Sequence, residues 1–177
     1  MRIHGWVIAV ALTVIPATLD AEQLAGEVRM KGLRWAADKQ AAELVECPTE
    51  TASVQLVDVE AHVRNPTQQL LVGLMAEVRI RWQEGPLNGA NRASWGPWSL
   101  VDTQALRAVA PAKDLQLQTR LDVEGKRKSL EKRRKWPFAL QVQITVRHMD
   151  TARTLMSRTA TLAMPVKQPA PDEEADY

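Results

Sequence analysis

Four stretches of this chain repeat with a period of two, and that pattern restricts the fold more than any other feature. Val57, Val59, Ala61 and Val63 share one parity, against Asp58, Glu60, His62 and Arg64 on the other. Leu70, Val72, Leu74, Ala76, Val78, Ile80 and Trp82 alternate opposite Glu77, Arg79 and Arg81. Leu115, Leu117, Leu121 and Val123 do the same against Gln116, Gln118, Arg120 and Asp122, and Phe138, Leu140, Val142, Ile144 and Val146 against Ala139, Gln141, Gln143, Thr145 and Arg147. Successive side chains of a strand point to opposite faces, so each stretch has a dry side and a wet side. That is the pattern of antiparallel strands covering one core. Met156, Ala160, Leu162, Met164 and Val166 share a further parity, and another strand is expected near 99–109.

Turn signals separate these stretches. They are Asn65-Pro66-Thr67, the polar run from Glu84 to Asn91 with its Gly and Pro residues, Pro111-Ala112-Lys113, and Asp150-Thr151. Six or seven short strands with regular turns make an all-β fold, an antiparallel β-sandwich of immunoglobulin- or fibronectin-III-like architecture over 52–167.

What precedes and follows is different in kind. Residues 1–21 read as a signal peptide: Arg2, an apolar run from Trp6 to Ile15, the breaker Pro16, and small residues at Ala17 and Ala21. A run of ten residues spans only ~15 Å as a helix, about half of a bilayer's hydrocarbon core. The expectation is therefore an exported protein, periplasmic or otherwise extracytoplasmic, with a retained membrane-associated segment as the alternative. Residues 22–51 read as an N-terminal extension. A short helix is expected around 36–45, ending before Pro48, and Val28-Arg29-Met30-Lys31 fits a short strand equally well. Residues 168–177, Pro-rich and then acidic, read as a disordered tail. Its four carboxylates leave a formal +6 on the remainder of a chain whose total is +2.

Little here points to catalysis. A single cysteine, Cys47, cannot form an internal disulfide, and burial as a small hydrophobe is its expected fate. His62 and His148 each stand alone in a strand pattern, without a partner at metal-ligand spacing. Ser129-Leu130-Glu131-Lys132 matches the Ser-x-x-Lys pattern of penicillin-binding enzymes, but lacks its companion elements. No metal, no cofactor and no enzymatic activity are expected, and the near-neutral total gives no case for nucleic acid.

Two features stand out. In the first, Val78-Arg79-Ile80-Arg81-Trp82 is followed, after a polar loop, by Ser94-Trp95-Gly96-Pro97-Trp98-Ser99. In a regular strand Trp95 and Trp98 would point to opposite faces, since their spacing is odd. Pro97 favours a path with three residues per turn, which puts both indoles on one side. Guanidinium groups from Arg79 and Arg81 can then slot between them, each contact worth ~0.5–2 kcal/mol. These residues resemble the Arg/Trp ladder of the fibronectin-III domains of class I cytokine receptors, in which an Arg-x-Arg strand packs beside a Trp-Ser-x-Trp-Ser box. Gly96 stands where that box has its first Ser. The resemblance covers 22 residues, from Val78 to Ser99, and implies a sandwich of that type; no receptor function comes with it. The run Trp-Gly-Pro-Trp-Ser is also similar to that of thrombospondin repeats, whose cysteines are missing here. The pair of indoles either stiffens a hairpin or offers an aromatic surface to a partner or a glycan.

The second feature is the run from Gly125 to Trp136, with seven basic residues in twelve: Lys126, Arg127, Lys128, Lys132, Arg133, Arg134 and Lys135. Such density suits an acidic protein surface or anionic lipid head groups, or else a solvated loop or short surface helix. Together the features predict a non-catalytic accessory or structural subunit that docks onto a larger envelope or membrane assembly, with Lys126–Trp136 as the partner surface. The alternative is a glycan or cell-wall binding module using Trp95, Trp98 and Trp136.

Overall fold

The computed structural model describes residues 23–35, 42–44, 54–86 and 92–164. Among the described residues nine strands and one helix follow in order: β1 (Ala25–Trp35), β2 (Ala42–Leu44), β3 (Leu56–Arg64), β4 (Leu71–Pro86), β5 (Ser94–Trp95), β6 (Ser99–Val109), β7 (Asp114–Asp122), α1 (Val123–Glu131), β8 (Lys135–His148) and β9 (Thr154–Ala163). They form two antiparallel sheets. One has the order β2-β1-β3-β7; in the other, β4 is flanked by β8 and then β9 on one side, and by β5 and β6 on the other. The fold is an immunoglobulin- or fibronectin-III-like sandwich. Its fourth long strand, β6, pairs with β4, whereas in a constant-type immunoglobulin domain the fourth strand lies in the opposite sheet.

The period-two stretches supply the core. Val57, Val59, Ala61 and Val63 of β3 are at most 1% exposed, and they face Leu74, Ala76 and Val78 of β4 and Leu140, Val142, Ile144 and Val146 of β8. Burying each of the larger of these side chains contributes ~1.5–3 kcal/mol. The partners of these residues on the opposite parity lie outside and pair across strands. Lys31 Nζ sits 3.1 Å from Glu60, and Arg120 Nε lies 2.6 Å from Asp58. The hydrogen bond to Asp58, and then its charge, hold Arg120 above the ordinary arginine range.

The turn at Asn65-Pro66-Thr67 is tied from within. Asn65 is fully buried, and its Nδ2 donates to the carbonyls of Gln69 and Val109 at 2.7 and 2.8 Å. Its Oδ1 accepts from the Thr67 amide and hydroxyl, and its own carbonyl accepts from the Ala112 amide. One amide side chain thereby joins the entry of β4 to the exit of β6, at the satisfied valence that a buried polar group requires.

Three expectations are corrected. The sandwich does not begin at residue 52: β1 pairs with β3 through nine consecutive residues, from Ala25↔Arg64 to Leu33↔Leu56. Glu27, Arg29 and Lys31 are exposed while Val28 and Met30 pack on the core, so the strand alternative for 28–31 is the right one. Gly26 is required there, because a Cβ would collide with the His62 carbonyl across the strand pair. The helix expected around 36–45 is likewise displaced at 42–44, where β2 pairs with β1; the remainder of that stretch lies outside the described residues. Thirdly, Leu70 and Val72 do not share the inner face with Leu74. They are 58% and 50% exposed, and Leu71 packs on the core instead. Gly73 has φ +64°, a left-handed turn of the backbone that swaps the faces of the strand.

The expected signal at 1–21, Cys47 and the tail at 168–177 lie outside the described residues. Among those described, no helix is long and apolar enough to cross a membrane.

Candidate functional site

Both features singled out in the sequence come to the same end of the sandwich. The last residues of β4 pair with the first of β8, Pro86 with Lys135 and Gly85 with Trp136, so the Trp hairpin and the basic segment are neighbours.

At the hairpin, Trp82 points into the core and its carbonyl accepts from the Gly96 amide at 2.8 Å, which pins the Trp95–Trp98 segment against β4. Arg81 emerges on the outer face and lies over both indoles, 4.5 Å from the centroid of Trp98 and 5.0 Å from that of Trp95. Its Nε donates to Gln141 Oε1 at 2.6 Å, and Gln141 Nε2 donates to Thr161 Oγ1 at 3.0 Å. A line of contacts therefore crosses β5, β4, β8 and β9. Arg79 is not part of this ladder. Its Nη2 lies 3.0 Å from Glu77 Oε2, and Arg147 Nη2 lies 3.1 Å from the same oxygen. Those two guanidinium groups cover an outward-facing carboxylate that is only 8% exposed. A charge so enclosed needs its counterions close by, and Glu77 claims Arg79 before the indoles can. The faces of Trp95 and Trp98 that a sugar ring would stack on are in part taken by Arg81.

The basic segment divides in two. Its first half is helix α1, capped by the Asp122 carboxylate, which accepts from the Gly125 amide at 2.9 Å. The amides of Val123 and Glu124 donate to the Gln55 carbonyl, and the buried side chains of Val123 and Leu130 seat the helix on the sandwich. Each cation in this half meets a carboxylate: Lys126 with Glu84 at 2.6 Å, Arg127 with Glu131 at 3.5 Å, and Lys128 with Glu124 at 2.6 Å. Lys126 also lies 5.9 Å from the Trp82 ring. Glu84, expected in a loop, belongs instead to β4, whose register against β8 slips by a residue between Gln83 and Glu84. Such a bulge re-aims a side chain.

The second half is the turn after the helix. The Arg133 amide donates to the Leu130 carbonyl and the Arg134 amide to that of Glu131, wrapping the chain around the helix end. Arg134 takes a left-handed φ of +56° to do so. Lys132, Arg133, Arg134 and Lys135 are all exposed, and none has a carboxylate within 4.0 Å among the described residues. The Arg133 side chain donates to the Ser129 hydroxyl at 3.2 Å. Trp136 belongs to the strand and not to the open surface: it is half-buried, with its Nε1 enclosed.

His62 and His148 stay apart, His62 in the sheet of β3 and His148 at the end of β8 in the other. Among the described residues no three of His, Cys, Asp and Glu gather as a metal site would require.

No family model matches this chain, and no curated protein matches it. Two solved structures are similar in shape. The CARDB domain of a Pyrococcus furiosus protein shares 14% identity, with 82% of this chain and 99% of that one covered at a TM-score of 0.43. The putative ApaA protein of Bordetella pertussis shares 11%, with 83% and 99% covered at a TM-score of 0.34.

Proposed function

We propose that this chain is an exported, non-catalytic accessory subunit that docks onto an acidic protein surface of a larger envelope assembly through the turn Lys132–Lys135. The observation that carries this reading is the contrast within one basic segment: three cations on the helix meet carboxylates, and the next four have none within 4.0 Å among the described residues. Adjacent like charges repel, and four held together without a carboxylate among the described residues form a surface that an acidic partner would neutralise. Their mounting supports the same reading. The helix is seated by Leu130 and the turn is closed by two backbone hydrogen bonds, so the cations are presented without a large ordering cost on binding. Export rests on the apolar run and small residues of 1–21.

Purification of the native protein from its source membranes, in parallel with a Lys132/Arg133/Arg134/Lys135→Ser variant, tests the proposal. The wild-type chain is expected to hold a defined partner at low salt and to release it as salt screens the contact, and the variant is expected to lose it. A clean monomer at physiological salt, or a complex that the variant retains, overturns it.

A further inference from the structure

The strand pair β8 and β9 directs the end of β9 toward the start of β8, where the basic turn lies. Ala163 is the register partner of Ala139, and the Met164 amide donates to the Phe138 carbonyl at 2.8 Å. Because the strands are antiparallel, the direction in which β9 leaves is the direction back along β8 toward Pro137, Trp136 and Lys135. From Phe138 to Lys135 is three residues, ~10 Å at strand spacing. Seven residues separate Met164 from the acidic run Asp172-Glu173-Glu174-Ala175-Asp176, and three of them are Pro165, Pro169 and Pro171. A spacer of that composition reaches ~22 Å when extended. Four carboxylates are thus tethered within reach of four cations that lack a carboxylate among the described residues.

We propose that the acidic run is an intramolecular ligand of the basic turn, covering Lys132, Arg133, Arg134 and Lys135 until a more acidic partner displaces it. Each exposed ion pair is weak taken singly. A short tether, however, holds its ligand at a millimolar effective concentration, enough to compete with loosely held anions and not with an extended acidic surface. The tail then acts as a selectivity filter. It rests on the same four cations as the docking proposal, but not on the existence of a partner.

The test uses the full chain and a fluorescent hexaglutamate peptide followed by anisotropy. An Asp172→Asn/Glu173→Gln/Glu174→Gln/Asp176→Asn variant is expected to bind the peptide about 10-fold more tightly than wild type in low salt. The gain should vanish in high salt and be independent of protein concentration, as a contact within one chain requires. Neutralising the turn as well, with Lys132/Arg133/Arg134/Lys135→Ser, should abolish binding in both backgrounds. Equal, measurable affinity of wild type and tail variant overturns the tail contact and leaves the docking proposal standing. Failure of both to bind the peptide at any salt overturns the two together.

Discussion

The Trp hairpin and the basic turn share one end of the sandwich and treat charge in opposite ways. At the hairpin every notable cation is consumed internally: Arg81 by two indoles and Gln141, Arg79 and Arg147 by Glu77. In the turn, four cations in a row face outward. The difference lies in what the neighbouring strand offers. A strand face surrounded by other strands brings partners at fixed spacing, so a guanidinium there is captured. Lys132, Arg133 and Arg134 follow a helix and lie on no strand, Lys135 only opens β8, and the helix dipole itself favours positive charge at that position. Of two features equally conspicuous in the sequence, one therefore builds the fold and the other is left facing outward.

The comparison breaks most visibly at Leu130, the buried residue under the helix. Leu130→Ala is expected to cost about 2–5 kcal/mol in urea unfolding. An unchanged midpoint would mean that the turn is not mounted on the folded body at all. A smaller effect is expected at the hairpin, where Trp98→Ala should cost about 1–2 kcal/mol. A double-mutant cycle with Arg81→Ala should assign most of that to the pair, and additive single effects would refute the ladder. Loss of the helix cap by Asp122→Ala should cost about 1 kcal/mol by thermal unfolding, a measure of how much of the mount is local. The smallest change sharpens the contrast: Lys132/Arg133/Arg134/Lys135→Ser should move stability by no more than about 0.5 kcal/mol. A large loss there would show that these cations, like Arg81, hold the structure together.

Much of this was readable before any coordinates. Alternation placed β3, β7, β8 and β9, and the odd spacing of Trp95 and Trp98 with Pro97 between them put both indoles on one side. What failed did so for physical reasons. β1 carries the same alternation as its partners, in Glu27, Val28, Arg29, Met30 and Lys31, but Gly26, Gly32 and the Ala-rich stretch after it weigh toward other structures when each residue is judged by its own propensity. The register with β3 decides it, and register is not a local property. Leu70 and Val72 continued a parity that Gly73 reverses, and a glycine does not announce which sign of φ it will take. Arg79 and Arg81 are equivalent in the sequence pattern; only the three-dimensional position of Glu77 and Arg147 separates them. The division of the basic run needed Glu84, whose closeness to Lys126 comes from a tertiary contact between β4 and α1.

The first and last strands of the sandwich also touch, one from each sheet. The Leu24 amide donates to the Leu155 carbonyl, and Arg158 Nε donates to the Gly26 carbonyl. Both positions advance together, so the two strands run the same way where they meet. If the chain were pulled by its two ends, tension would run along this seam and shear its contacts together instead of peeling them one at a time. Resistance of that kind is governed by the rate of unfolding and not by its equilibrium.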